Sequence, residues 1–166
     1  MRTKTIALLA ALACGTAHAD DNVTLRADRG AAILEVADRH LTNTRELVMQ
    51  ALGFLGIRYK YGGNSPDTGF DCSGLVRYVV SQAIGLVLPR NAQAISEHGR
   101  QVATEELQPG DLVFFNTMRK PYSHVGIYVG EQRFIHAPAS GGKVEMVNMT
   151  ERYWQTRFDG ARRLSF

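Results

Sequence analysis

Hydrophobic spacing changes character about two thirds of the way along this chain. Up to about residue 95, apolar positions recur every three or four residues, as on a helix packed along one side. Leu47, Val48, Ala51, Leu52 and Leu55 predict a helix over residues 45–55, with Asn43 or Thr44 as its cap. Before it, Ile33, Leu34, Val36, Ala37 and Leu41 form a weaker helical pattern over residues 31–41, and residues 20–29 read as a loosely held polar lead. Leu75, Val76, Val79, Val80 and Ala83 predict a helix from about Cys72 to Ile84, closed by Gly85. Asn91 caps a short helix over residues 92–98.

From Pro109-Gly110 onward the pattern is that of strands. Leu112-Val113-Phe114-Phe115 is an apolar run of strand length, and residues 124–129 and 133–137 flank a three-residue turn, Gly130-Glu131-Gln132. Residues 143–147 and 161–164 supply two more strands, with a short helix near 151–156 between them. Helices first and strands afterwards predict an α+β fold, with helices packed on an antiparallel sheet.

Composition alters this picture mainly at the beginning. Of 166 residues, 45% are hydrophobic and 21% charged, which suits one globular domain. Met1 to Thr5 is basic, Ile6 to Cys14 is apolar, and Ala17-His18-Ala19 fits a cleavage site, so residues 1–19 read as a secretory signal. Residues 20–42 are then a lead and residues 43–166 the domain proper, exported to the periplasm as a monomer. Leu12-Ala13-Cys14-Gly15 also loosely resembles a lipoprotein signal, which would make Cys14 an outer-membrane anchor. Ala11 stands where a bulky aliphatic residue is usual, which favours soluble export.

Cleavage after Ala19 lowers the net charge from +3 to +1, because Arg2 and Lys4 leave and no acid does. The pairs Arg119-Lys120 and Arg162-Arg163 read as solvated surface, and no nucleic-acid-binding module is present. One cysteine remains, Cys72, so an internal disulfide is excluded after cleavage. On count alone such a thiol is a buried small hydrophobe; its alternative is a reactive group.

Position favours the reactive reading. Cys72 falls at a predicted helix start, behind Asp71 as N-cap, where unpaired N–H groups and the helix dipole favour thiolate. Asp71 itself opposes ionisation unless its charge is occupied in capping. In the predicted hairpin, pairing Val129 with Arg133 sets Gly126 opposite His136 and diagonal to His124. The two histidines then share one face of the sheet; a slip of one residue would separate them. Taken singly, each is as well explained as an ordinary hydrogen-bonded strand or loop residue. Together they provide a base, His124, and a partner, His136, that holds its ring in the required tautomer. His40 and His98 fall at exposed-looking helical positions and receive no role.

Six segments in order carry a resemblance. They are Tyr59-x-x-Gly62-Gly63, Phe70-Asp71-Cys72-Ser73-Gly74-Leu75-Val76, Leu88-Pro89-Arg90, Pro109-Gly110-Asp111-Leu112-Val113-Phe114-Phe115, His124-Val125-Gly126-Ile127-Tyr128-Val129-Gly130 and Phe134-Ile135-His136-Ala137. Over roughly residues 45–164 the chain resembles the NlpC family of bacterial cell-wall cysteine peptidases, most of all its small Gram-negative murein endopeptidases. The resemblance implies a papain-like fold, with Cys72 as nucleophile, His124 as base and His136 orienting it. It also implies Tyr59 as an oxyanion donor and Asp71, Ser73 and Arg90 as residues shaping a site for peptidoglycan stem peptides. Outside the resemblance, Tyr59 and Tyr61 both read as core aromatics, and Tyr61 keeps that reading. No cofactor or metal is implied. Asn91 replaces the usual Ser or Thr after Pro-Arg, and the 63–71 loop is slightly longer than in the small Gram-negative members, which bears on bond preference.

Three rivals stand beside this reading. A zinc hydrolase would use Cys72, His124 and His136 as ligands, although the chain lacks a closely spaced ligand pair. A wall-binding or regulatory module could retain the fold without catalysis. An antibacterial toxin would direct the same chemistry at competitors.

Overall fold

The computed structural model describes residues 19–139 and 141–165, with side chains from residue 29 onward. The predicted leader, apart from Ala19, lies outside the described residues, and Cys14 with it. The chain divides between Ala37 and Asp38 into two units.

The first element corrects the expected cap. Helix α1 (Ala19–Gly53) runs through the polar stretch, the weak pattern and the predicted cap without interruption. Asn43 and Thr44 cost a helix only a few tenths of a kcal/mol each (~0.5), and no proline stands nearby to break it. A residue able to cap does not end a helix that the flanking residues favour. Leu47 and Ala51, one turn apart, are the fully buried positions of its C-terminal part, whereas Ile33, Leu34, Val36 and Leu41 are exposed. Among the described residues no helix is long and apolar enough to cross a membrane.

The rest of the chain forms an antiparallel sheet with helices packed against it. After a small hairpin, β1 (Asn64–Ser65) with β2 (Gly69–Phe70), come helices α2 (Cys72–Ile84) and α3 (Ala92–Ile95). Strands β3 (Arg100–Val102), β4 (Leu112–Phe115), β5 (His124–Gly130), β6 (Arg133–His136), β7 (Glu145–Asn148) and β8 (Phe158–Arg163) follow, with a 3-10 turn at Thr104–Glu106 and the short helix α4 (Arg152–Gln155). The sheet order is β3-β8-β4-β5-β6-β7.

Alternation along the strands sorts side chains into two cores. Leu112, Phe114, Val125, Ile127 and Ile135 meet Leu75, Val76, Val79 and Val80 of α2 on one face. Val113, Phe115, Tyr128, Phe134 and Ala161 pack with Trp154 on the other. Both faces are covered, so the apolar run of β4 is buried throughout.

The β5–β6 turn is shorter than predicted, yet the register expected for the histidines holds. Glu131 and Gln132 alone form the turn, both with positive φ (51° and 59°), as two-residue hairpins require. Gly130 pairs with Arg133, and a bulge at Val129 then restores Tyr128↔Phe134 and Ile127↔Ile135. Continuing that pairing by one residue brings Gly126 to His136. The pair Arg162-Arg163 is also corrected from solvated surface. Arg163 holds the buried Asp111 carboxylate through two 2.7 Å bonds, and Arg162 reaches the Ser96 carbonyl.

Helix α2 starts against the loop before it. A Cβ built on Gly74 would lie 1.9 Å from the Gly63 carbonyl oxygen, so only glycine permits this approach. Gly74→Ala should therefore lower stability in urea titrations by about 1–3 kcal/mol. Gly85→Asn is the control: its left-handed C-cap is open, with nothing within 4 Å, and asparagine accepts that conformation.

Candidate active site

Cys72 is the first residue of α2 and Asp71 is its N-cap, as the pattern of residues predicts. Asp71 Oδ1 accepts the Gly74 N–H at 2.6 Å and the Ser73 hydroxyl at 3.0 Å. Its Oδ2 accepts the Gly62 N–H at 3.0 Å and Arg90 Nη2 at 3.0 Å. Arg90 Nη1 also donates to Ser73 Oγ at 3.2 Å. The three residues with implied substrate roles, Asp71, Ser73 and Arg90, thus form one bonded cluster beside the thiol.

Burial opposes the thiolate that the helix start favours. Burial pushes the Cys72 thiol up to about 11. The backbone N–H of Val125, with those of Ser73 and Cys72, pulls the other way, while Asp71 adds to the rise. Helix-end donors are worth at most about 1–2 kcal/mol, and they lose here to desolvation.

The histidines meet as the register requires. His124 opens β5 opposite Phe115, His136 closes β6, and His124 Nε2 lies 2.8 Å from His136 Nδ1. The Nδ1 of His124 is therefore the ring nitrogen not engaged with His136. Both rings are almost wholly enclosed, at 4% and 0% exposure. Burial lowers the pKa of each, and for His136 the neighbouring His124 adds to the effect. Enclosure thus favours the neutral form of both rings. Among the described residues no group of three or more His, Cys, Asp or Glu side chains is placed to hold a metal ion, which is the arrangement the zinc alternative needs.

Trp154 had no signal in spacing or motif beyond being the single tryptophan of the chain. Its ring lies stacked against His124 at 5.8 Å and edge-on to His136 at 4.8 Å. It is a principal wall of the enclosed pocket around the pair.

A cleft of about 790 Å³ brings Cys72 and His124 together with Tyr59, Ser73, Arg90 and Trp154. His136 is not among its lining residues; it stands behind His124. Tyr59 is tied by its backbone to Gly142 on one side and faces Phe70 across a parallel bridge on the other. Burial, then the proximity of Cys72 and Asp71, raises its phenol pKa, so it remains a donor. Tyr61 is not a core aromatic: it is 87% exposed at the cleft rim. His98 is exposed and His40 half-buried, and neither lines the cleft.

The sequence pattern of the NlpC/P60 family matches residues 56–163. This chain belongs to the NlpC/P60 family. It is 45% identical over 118 residues to a gamma-DL-glutamyl hydrolase of Bacillus subtilis, covering 70% of this chain and 28% of that protein. It is 40% identical over 144 residues to the murein DD-endopeptidase MepH of Escherichia coli, covering 82% of this chain and 53% of that one. The chain thus spans between about a quarter and a half of the length of these two relatives. Among solved structures, an NLP/P60 protein of Staphylococcus aureus described as similar to lipoprotein matches with a TM-score of 0.66 at 37% identity, covering 75% of this chain and 42% of that one. The NlpC/p60 domain of the peptidoglycan hydrolase SagA matches with a TM-score of 0.64 at 30% identity, covering 73% of this chain and 98% of that one. The family's papain-like α+β fold is the one expected.

Enclosing two neutral imidazoles has a consequence for stability. The unfolded histidines take up protons below about pH 6.5, and the folded ones resist until well below that. The unfolded state then binds more protons, so stability falls as pH drops through 6.5. Urea titrations at pH 7.5 and 5.5 should differ by roughly 1 kcal/mol for each histidine. His136→Asn should show a shallower loss over the same interval, and an unchanged slope would assign the effect to other groups.

Proposed function

We propose that this chain is a cysteine peptidase that hydrolyses amide bonds in peptidoglycan stem peptides or their cross-links. The observation that carries this reading is the His124–His136 bond: it occupies Nε2 and leaves Nδ1 as base on a cleft that also holds Cys72. The family membership and the names of the relatives support the same reaction class. Residues 43–166 are taken as the catalytic domain, acting as a periplasmic monomer unless Cys14 anchors it to the outer membrane. Nucleic acid has no part in the reading.

In this mechanism the Cys72 thiol gives its proton to His124 Nδ1 as sulfur attacks the scissile carbonyl. The oxyanion of the tetrahedral intermediate takes hydrogen bonds from the Cys72 backbone N–H and the Tyr59 hydroxyl. His124 then protonates the leaving amine, and water hydrolyses the thioester, returning the thiol. His136 holds the His124 ring so that Nδ1 faces the reaction. Asp71, Ser73 and Arg90 shape the adjoining peptide site.

The relatives named here include a γ-D,L-glutamyl hydrolase and a DD-endopeptidase. Two bonds therefore compete as the target: γ-D-glutamyl–diaminopimelate within a stem, and D-alanyl–diaminopimelate between stems. Mass spectrometry of digests of defined muropeptides names the bond and tests the activity together. Cys72→Ala should yield no product while melting at the wild-type temperature; full activity in that variant would sink the mechanism. Tyr59→Phe should lower kcat by about 10²-fold with little change in KM, the cost of one oxyanion donor.

A further inference from the structure

Among the described residues, one enclosed side-chain nitrogen or oxygen lacks a hydrogen-bond partner, and it is Nε2 of His136. Its place in the proton economy of the site makes that vacancy informative. Each neutral imidazole carries a single N–H. For His124 to accept a proton at Nδ1, its own N–H must be at Nε2, donating to His136 Nδ1 across the 2.8 Å contact. His136 must then carry its proton on Nε2, the orphaned atom. The opposite assignment puts the His124 proton on Nδ1 and removes the base. The competent tautomer therefore leaves an N–H in the core with nothing to receive it, a cost of about 1–3 kcal/mol.

One acceptor is within reach. Glu145 is the cross-strand partner of His136 in the β6–β7 pair, and its Oε1 lies 3.6 Å from Nε2. That is too long for a hydrogen bond and less than 1 Å beyond one. The Glu145 side chain is 53% exposed, so it has room to move. Its carboxylate has no other ion pair or hydrogen bond among the described residues.

We propose that Glu145 is a positioning residue of the cysteine-peptidase site, closing on His136 Nε2–H and thereby setting the tautomer of both rings. The inference rests on the catalytic reading above. Glu145 touches neither Cys72 nor the cleft; it acts through His136. Its negative charge also faces the positive charge that develops on the histidine pair when Cys72 gives up its proton. Its effect therefore falls on kcat and spares KM.

The test joins kinetics to a direct view of the rings. On a muropeptide the wild type cleaves, Glu145→Ala should lower kcat by about 10- to 100-fold, the range for a hydrogen bond to a charged group, with KM within about twofold. Glu145→Gln keeps an acceptor without the charge and should fall between Ala and wild type. Histidine ¹⁵N–¹H correlation spectra should place the His136 proton on Nε2 in the wild type and show a shift toward the Nδ1 form in Glu145→Ala. Unchanged kcat and an unchanged His136 tautomer in Glu145→Ala would overturn the inference and leave the peptidase reading intact. Were the wild type to cleave no muropeptide, that reading would fail instead, and the spectra alone would decide the role of Glu145. Glu145→Gln, nearly isosteric, serves if Glu145→Ala melts early.

Discussion

The carboxylate of Asp71 is the tie on which the cleft depends. Backbone N–H groups of Gly62 and Gly74, the Ser73 hydroxyl and the Arg90 guanidinium all converge on it. These donors come from the loop that carries Tyr59, from the first turn of α2 and from the segment after α2. One anion thus fixes Cys72 relative to Tyr59 and to the Arg90 wall of the same cleft. A desolvated charge is tolerable only when surrounded by such donors, and here the donors are also the parts that need alignment.

Enclosure acts beside that tie. Trp154, Phe134 and the sheet enclose the histidine pair, and burial disfavours the charged forms of the thiol and of both imidazoles. Any charge separation between thiol and imidazole therefore has to be stabilised by fixed donors rather than by solvent. Low polarity strengthens any hydrogen bond made to that transient charge, which is where fixed donors are most effective.

Much of this was legible from residues alone, for identifiable reasons. The cap-and-helix signal at Asp71-Cys72 is local, and strand parity carries the histidine pair even though the turn is one residue shorter than its sequence suggests. Val129 bulges as the turn shortens, so the two offsets cancel beyond Tyr128. What escaped detection lacks a local code. Strands β1 and β2 have two residues each, too few to show a period, and β3 is a polar edge strand with one buried residue. The thiol's protonation depends on how much protein surrounds it, which no spacing encodes. Trp154 reaches the histidines by tertiary packing from a four-residue helix. The continuity of α1 was hidden by residues that are able to cap but were not asked to.

The small hairpin beside the nucleophile separates two kinds of change. Its base is closed by Asn64↔Phe70 pairing and by the Asp71 N–H on the Gly63 carbonyl, the same carbonyl against which Gly74 rests. Beyond that closure Ser65 pairs with the buried Gly69, where a Cβ would lie 2.7 Å from the Arg58 carbonyl oxygen, while Asp67 and Thr68 at the tip are exposed. None of residues 64–69 lines the cleft that holds Cys72 and His124. Substitutions at the exposed tip can therefore accumulate at the pace of a surface loop, whereas Gly69 and the anchor points must stay as they are.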